Sequence, residues 1–185
     1  MRILKYAILG LVDKGNLSGY DITNCFQEEI GHFWSATHSQ IYPELKKLTQ
    51  EGFIQFETLI QGVKLEKKMY SITTMGRQEL HQWLVHSMII PQTLKDAFML
   101  KAYFFSAMNL DEAEQQFSDQ LKMRSEKLTY LNERMNVLQN NDDFNLSPKS
   151  QHFGNYLVLT RAIEREQGYI SWLKNSLALM EQGKE

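Results

Sequence analysis

The apolar positions of this chain follow a helical period at first, switch to alternation near residue 54, and return to a helical period for the second half. Residues Ile3 to Val12 (ILKYAILGLV) are apolar on nearly every side, which predicts a short buried helix ended by Gly15 and Asn16. Ser18 suits the N-cap of a second helix reaching about Glu29, with Tyr20, Ile22 and Phe26 inward and Gly31 as its stop. In HSQIYPELKKLTQEGFI, from His38 to Ile54, Ile41, Leu45 and Leu48 recur at spacings of four and three and form an inward stripe. Ser39, Gln40, Pro43, Lys46, Lys47 and Gln50 take the remaining surface, and Gly52 closes this third helix.

Alternation follows. Ile54, Phe56, Thr58 and Ile60 share one face of a strand, and Lys68, Tyr70 and Ile72 share one face of a second. QGVKLEK between them predicts a hairpin tip carrying Gly62, Lys64 and Lys67. Thr73 or Thr74 caps a fourth helix to about His86, with Leu80, Trp83 and Leu84 as its apolar members. Three helices, a two-stranded hairpin and a helix, in that order, describe a winged helix-turn-helix over residues 1–88.

SMIIPQ, with Pro91, marks a boundary, and residues 92–185 show no strand signal. One helix is expected over Leu94 to Met108, another from an Asp111 cap to about Gln139, a loop at NNDDFNLSP, and a last helix from about Lys149 to Gln182. The two long helices have coiled-coil texture. Phe117, Leu121, Leu128, Leu131, Met135 and Leu138 fit spacings of three and four, as do Tyr156, Leu159, Ile163, Ile170, Leu173, Leu177 and Met180. Each seam misses one beat, at Arg124 and at Glu166. If the helices fold back through the loop near Phe144, residues whose numbers sum to about 290 lie side by side, and these two charges meet. The fold class is therefore mainly α with a small β-hairpin: a winged helix-turn-helix followed by an antiparallel, coiled-coil-like helical arm.

Composition adds constraints. The 185 residues are 43% hydrophobic and 23% charged, ordinary for a globular protein. No apolar run approaches the roughly 18 to 20 residues of a membrane span and no secretion signal is visible, so a cytoplasmic protein without a membrane partner is expected. The lone Cys25 has no disulfide or zinc partner in the sequence and reads as a small core residue. Residues 1–86 hold nine Lys or Arg against nine Asp or Glu, so any field that attracts nucleic acid must be local. His32, His38, His81, His86 and His152 lack metal-ligand spacing, and no phosphate loop, dinucleotide glycine pattern or HExxH occurs. No catalytic residue, metal or cofactor is expected.

LGLVDKGNLSGYDI, FWSATHSQIYPELKKLTQEGFI and KKMYSITTMG followed by Trp83 resemble the PadR family of bacterial transcriptional regulators, with SGYDI, QIYPELKKL and YSIT in the family's order and spacing. The match covers roughly Leu4 to Leu84. The helical remainder is similar in length and pattern to the dimerisation region of the longer members, the branch with the AphA-like virulence activators. The resemblance implies operator binding as a homodimer, usually to repress. It also makes residues 37 to 51 the recognition helix, with a proline early enough to remove at most one backbone hydrogen bond and a rigid ring suited to close approach to a phosphate.

Such a helix enters the major groove with its N-terminal residues nearest the bases. That end carries His38, Ser39, Gln40 and Tyr42. Gln40 is suited to adenine through two hydrogen bonds, Ser39 to a base or a phosphate, and Tyr42 to a phosphate or a thymine methyl, with a half-core tyrosine as its alternative. Lys46 and Lys47 suit flanking phosphates, and Lys64 and Lys67 the minor groove or backbone beside the wing. Ser18 and Tyr20 sit where a helix N-terminus favours anions, although Tyr20 serves equally as a core residue. Dimerisation falls to Phe117, Leu121, Leu128, Leu131, Ile163, Ile170, Leu173 and Leu177. Two other classes remain open. Phe98, Tyr103, Phe104, Phe105, Phe117, Tyr169 and Trp172 would suit a sensor for a small aromatic effector, since some relatives of the family bind phenolic acids or flat drug-like compounds. A dimer that has lost DNA binding is the other.

Overall fold

The structure, a computed structural model, describes residues 2–31, 33–61, 65–87 and 96–183. The chain divides into two compact units, Met1–Ile90 and Pro91–Glu185.

In the first unit α1 (Ile3–Lys14), α2 (Gly19–Glu28) and α3 (His38–Gln50) are followed by a hairpin and by α4 (Thr74–Val85). Expectation and structure differ at the sheet. A two-residue strand β1 (Leu17–Ser18), too short to show any period, joins β2 (Ile54–Gln61) and β3 (Leu65–Ile72) in the order β1-β3-β2. All pairings are antiparallel, with Ser18 opposite Met69, Ile54 opposite Ile72 and Gln61 opposite Leu65. The strands therefore run further than the expected tip, and Lys67 lies on β3 opposite Leu59 instead of in a loop. Residues 62–64, including the expected tip lysine Lys64, lie outside the described residues.

Local chemistry sets these boundaries. Ser18 caps α2 by accepting from the Asp21 N–H at 3.2 Å, while Asp21 accepts from the Ser18 N–H at 2.9 Å, so two otherwise orphaned donors are satisfied. Gly52 leaves α3 at φ +75°, the left-handed conformation that glycine adopts without strain. A Cβ on Gly76 would stand 2.1 Å from the Phe53 carbonyl oxygen, so only glycine lets the first turn of α4 rest on that backbone. Ile8, Leu9, Ile22, Ile41, Leu45, Leu48 and Ile54 are fully buried together, each contributing about 1.5–3 kcal/mol. Two expected inward residues are not inward. Tyr20 is 68% exposed, because two helical residues before Ile22 is about 200° around the axis, the opposite face. Leu84 is 64% exposed at the rim of an open groove, since the neighbouring Trp83 indole takes the side of α4 facing α1 by stacking on Tyr6 at 4.6 Å.

In the second unit, α5 (Ala97–Tyr103) and a 3-10 turn at Phe105–Ala107 stand where one continuous helix was expected. Helix α6 (Leu110–Gln139) is capped by Asn109, not Asp111: Asn109 accepts from the Glu112 N–H at 2.8 Å, and Glu112 accepts from the Asn109 N–H at 3.2 Å. Helix α7 (Gln151–Gln182) starts from Ser150, whose hydroxyl accepts from the His152 N–H.

Helices α6 and α7 pack antiparallel. Phe117 and Leu173 share one apolar cluster and Leu131 and Leu159 another, each pair summing to 290. Between them Arg124 Nη1 donates to Glu166 Oε2 at 2.9 Å, and Glu166 is fully buried. The seam residues expected at a dimer contact line the hairpin of one chain. Phe117, Leu131, Ile170 and Leu173 are buried, and Leu121, Ile163 and Leu177 half-buried in these clusters, with Leu128 half-buried on the same helix. They seal one chain's own hairpin, since two long amphipathic helices joined by a short loop cover each other first.

Candidate nucleic-acid interface

The inward stripe of α3, Ile41, Leu45 and Leu48, is completely buried, which turns His38, Ser39, Gln40, Tyr42, Pro43, Lys46 and Lys47 outward. Pro43, the sixth residue of α3, is exposed and denies the Ser39 carbonyl its helical donor, a loss of one bond on the outer face. From below, Arg2 clamps the helix. Its guanidinium donates to both carboxylate oxygens of Glu51 at 2.8 and 2.6 Å and stands 3.2 Å from Glu44. The Arg2 hydrogen bond holds the Glu51 carboxyl below its ordinary range.

The N-terminal end of α3 is already partly committed. The N-cap Thr37 donates its N–H to Gln40 Oε1 at 2.9 Å and its hydroxyl to the same oxygen at 3.2 Å, while Ser39 Oγ lies 2.9 Å from Thr37 Oγ1. This return half of a capping box, Thr-x-x-Gln, is legible in THSQ but was not anticipated. The bidentate adenine contact expected of Gln40 needs its carbonyl oxygen, which here is occupied. The His38 and Tyr42 rings lie 4.1 Å apart between centroids.

Beside α3, the N-terminal end of α2 and the face of β3 enclose a recess of about 570 Å³ lined by Ser18, Gly19, Tyr20, Tyr42, Lys67, Lys68 and Tyr70. Gly19 lets Tyr42 lie close over the start of α2: a Cβ there would meet the Tyr42 hydroxyl at 2.9 Å and push the ring aside. Neither tyrosine expected as an alternative core residue is buried, Tyr42 being 40% exposed. Ser18, in contrast, is buried and its hydroxyl donates to Asp21 at 2.7 Å, so its side chain is engaged in holding the helix end. Lys67 Nζ is 3.3 Å from Asp21, tying β3 to α2. The hydrogen bonds from Ser18, side chain and backbone, followed by Lys67, hold the Asp21 carboxyl below its ordinary range. Lys68 is exposed with its ammonium 4.3 Å above the Phe56 ring. The outward cations on the described part of this surface are therefore Lys46, Lys47 and Lys68.

Among the described residues no group of three or more His, Cys, Asp or Glu could hold a metal ion, and no helix is long and apolar enough to cross a membrane. Cys25 is half-buried, and burial followed by the neighbouring Glu29 pushes its thiol up to about 11.

A short helical trio, a three-stranded wing and an outward polar third helix define a winged helix-turn-helix protein. Residues 8–82 match the model of the Transcriptional regulator PadR-like family, and residues 94–181 match that of the Virulence activator alpha C-term. The chain belongs to the PadR-like family, which is one of transcriptional regulators and not of enzymes. It is similar to the negative transcriptional regulator PadR of Bacillus subtilis, at 59% identity over 98% of this chain and 99% of the relative. The crystal structure of that protein in complex with operator DNA superimposes with a TM-score of 0.88 at 59% identity, covering 97% of this chain and 99% of the other. Its complex with p-coumaric acid gives 0.84 at 55% identity over 97% and 99%.

Proposed function

We propose that this chain is a transcriptional repressor of the cytoplasm that binds double-stranded DNA as a homodimer. Residues 1–88 would serve as the DNA-binding domain and 92–185 as the dimerisation domain. The observation that carries the reading is the division of α3 into a buried apolar stripe and an outward face bearing Ser39, Gln40, Lys46 and Lys47. Bases are met by the N-terminal half of α3. Lys46, Lys47 and Lys68 engage phosphates, Tyr20 and Tyr42 supply hydroxyls at the recess, and the wing, with Lys64, follows the adjacent backbone. The operator complex of the Bacillus subtilis relative supports this assignment.

Two copies address a pseudo-palindrome whose half-site centres lie about 34 Å apart, or a multiple of it. Because the seams face inward, a second copy would cover the apolar side chains that α6 exposes at a spacing of seven, Met123, Tyr130 and Val137. A second reading adds to the first: the relative's complex with p-coumaric acid supports a phenolic effector that releases the protein from DNA. Selection of bound sites from a random DNA pool, with and without p-coumaric acid, tests both. An enriched pseudo-palindrome lost in the presence of the acid is expected; no enriched sequence would refute the repressor, and enrichment indifferent to the acid would refute this effector.

A further inference from the structure

We infer that Gln40 reads its base as a hydrogen-bond donor only, through the amide nitrogen, and so selects guanine or thymine rather than adenine. The inference rests on α3 being the recognition helix and specifies what one of its side chains recognises.

An amide oxygen has two lone pairs, and both are taken. The Thr37 N–H approaches Gln40 Oε1 at 2.9 Å and the Thr37 hydroxyl approaches it at 3.2 Å. The assignment of oxygen and nitrogen is fixed by chemistry, because a backbone N–H can only donate and the side-chain atom facing it must be the acceptor. The neighbouring contact strengthens the arrangement. The 2.9 Å contact between the Thr37 and Ser39 hydroxyls admits either donor, and with Ser39 donating the Thr37 proton is left for Gln40. A hydrogen-bonded row then runs from Ser39 through Thr37 to Gln40, and each bond polarises the next.

Release of Oε1 for a base would orphan the N-cap N–H and break this row. What Gln40 can offer without that loss is its NH2 group with two protons. Guanine matches it with O6 and N7 side by side, and thymine with O4. Adenine N7 can accept one such proton, as thymine O4 does, but its N6 amino group then stands beside a donor and needs an acceptor that Gln40 no longer has.

The substitution Gln40→Glu separates the two roles. A carboxylate keeps an oxygen for the Thr37 N–H, as in the commonest capping boxes, but has no donor, and its free oxygen accepts from cytosine N4 or adenine N6. Selection from a random pool with the wild-type chain, Gln40→Glu and Gln40→Ala, alongside their thermal melts, decides the matter. The wild type is expected to enrich guanine or thymine at one position of each half-site. Gln40→Glu should melt as the wild type does and swing that position to cytosine or adenine, and Gln40→Ala should level it, with roughly tenfold discrimination lost. Adenine at the position that Gln40→Ala levels would overturn the proposal, as would an unchanged preference in Gln40→Glu. If the carboxylate abolishes binding, Gln40→Ala alone decides, by whether the preference it erases was for guanine or thymine or for adenine. Enrichment that neither variant alters would remove Gln40 from the readout while leaving α3 as the reader; no enrichment by the wild type would overturn both.

Discussion

The two units of this chain solve the problem of register differently. In the winged unit, four short helices and three strands converge on one apolar cluster, so sliding any of them disturbs a core that the others share. The two long helices of the other unit meet each other along a seam that repeats, and a shift by one heptad would still bury leucines. A buried charge removes that freedom. Glu166 lies 2.9 Å from Arg124, 3.1 Å from Lys127 and 3.3 Å from Arg165, and the Arg124 guanidinium also lies 3.9 Å from the Tyr169 ring. Convergent topology specifies itself; a repetitive seam needs a polar mark.

The largest effects should come from the part both units share, a buried leucine. Leu45→Ala in the winged unit and Leu173→Ala in the hairpin, both fully buried, should each cost about 2–5 kcal/mol in denaturant unfolding, with only the first removing DNA binding outright. Next comes the charge that only the hairpin has. Arg124→Leu should cost about 1–3 kcal/mol, because it leaves a buried carboxylate with fewer donors, and the double variant with Glu166→Leu should recover part of the loss. Strictly additive losses in that cycle would mean that the pair does not mark the register.

Acid should expose the same contrast more gently. Burial pushes the Glu166 carboxyl up, but the hydrogen bonds from Arg124 and Lys127 and their charges outweigh it, and the folded value lies below the ordinary range. A carboxylate lowered on folding contributes stability that is complete above its unfolded value, about 4.3, and is lost as pH falls through the folded one. Unfolding followed from pH 6 downward should therefore be less acid-sensitive in Glu166→Gln than in the wild type, and an equal slope would show that Glu166 contributes nothing through its charge. Smallest in stability, Tyr130→Glu on the exposed face of α6 should change unfolding of one chain by no more than about 0.5 kcal/mol, yet shift sedimentation from dimer to monomer. A variant that stays dimeric would place the contact elsewhere.

The fold was readable where a period was long or a cap was flanked by an unbroken pattern. Ile41, Leu45 and Leu48 marked the inner face of α3, and the two missed beats at Arg124 and Glu166 located the pairing of α6 with α7 before any contact was seen. What stayed hidden was short or bivalent. β1 has two residues and so no period; Asn109 and Asp111 both cap helices well, and only the backbone geometry chooses. The seams predicted helix pairing, and the fold-back within one chain came from the matched positions of the two charges, because the leucines alone suit either a hairpin or a partner helix. At the candidate interface the residue types were legible and their commitments were not. Gln40 and Ser18 read as ligand contacts, and the sequence did not show that each is also engaged in a helix cap or that Lys67 is tied to Asp21, 46 positions away in sequence.

The proposed role of α3 is sequence-specific operator binding. Its most direct test is the affinity of the full chain for a duplex carrying its selected site and for a scrambled duplex of equal length, measured in the same physiological salt. The selected site is expected to bind about 1,000-fold tighter or more, and Ser39→Ala together with Gln40→Ala to remove most of that ratio while leaving the scrambled duplex bound as before. Equal affinity for both duplexes, or a ratio unmoved by the double substitution, would contradict it.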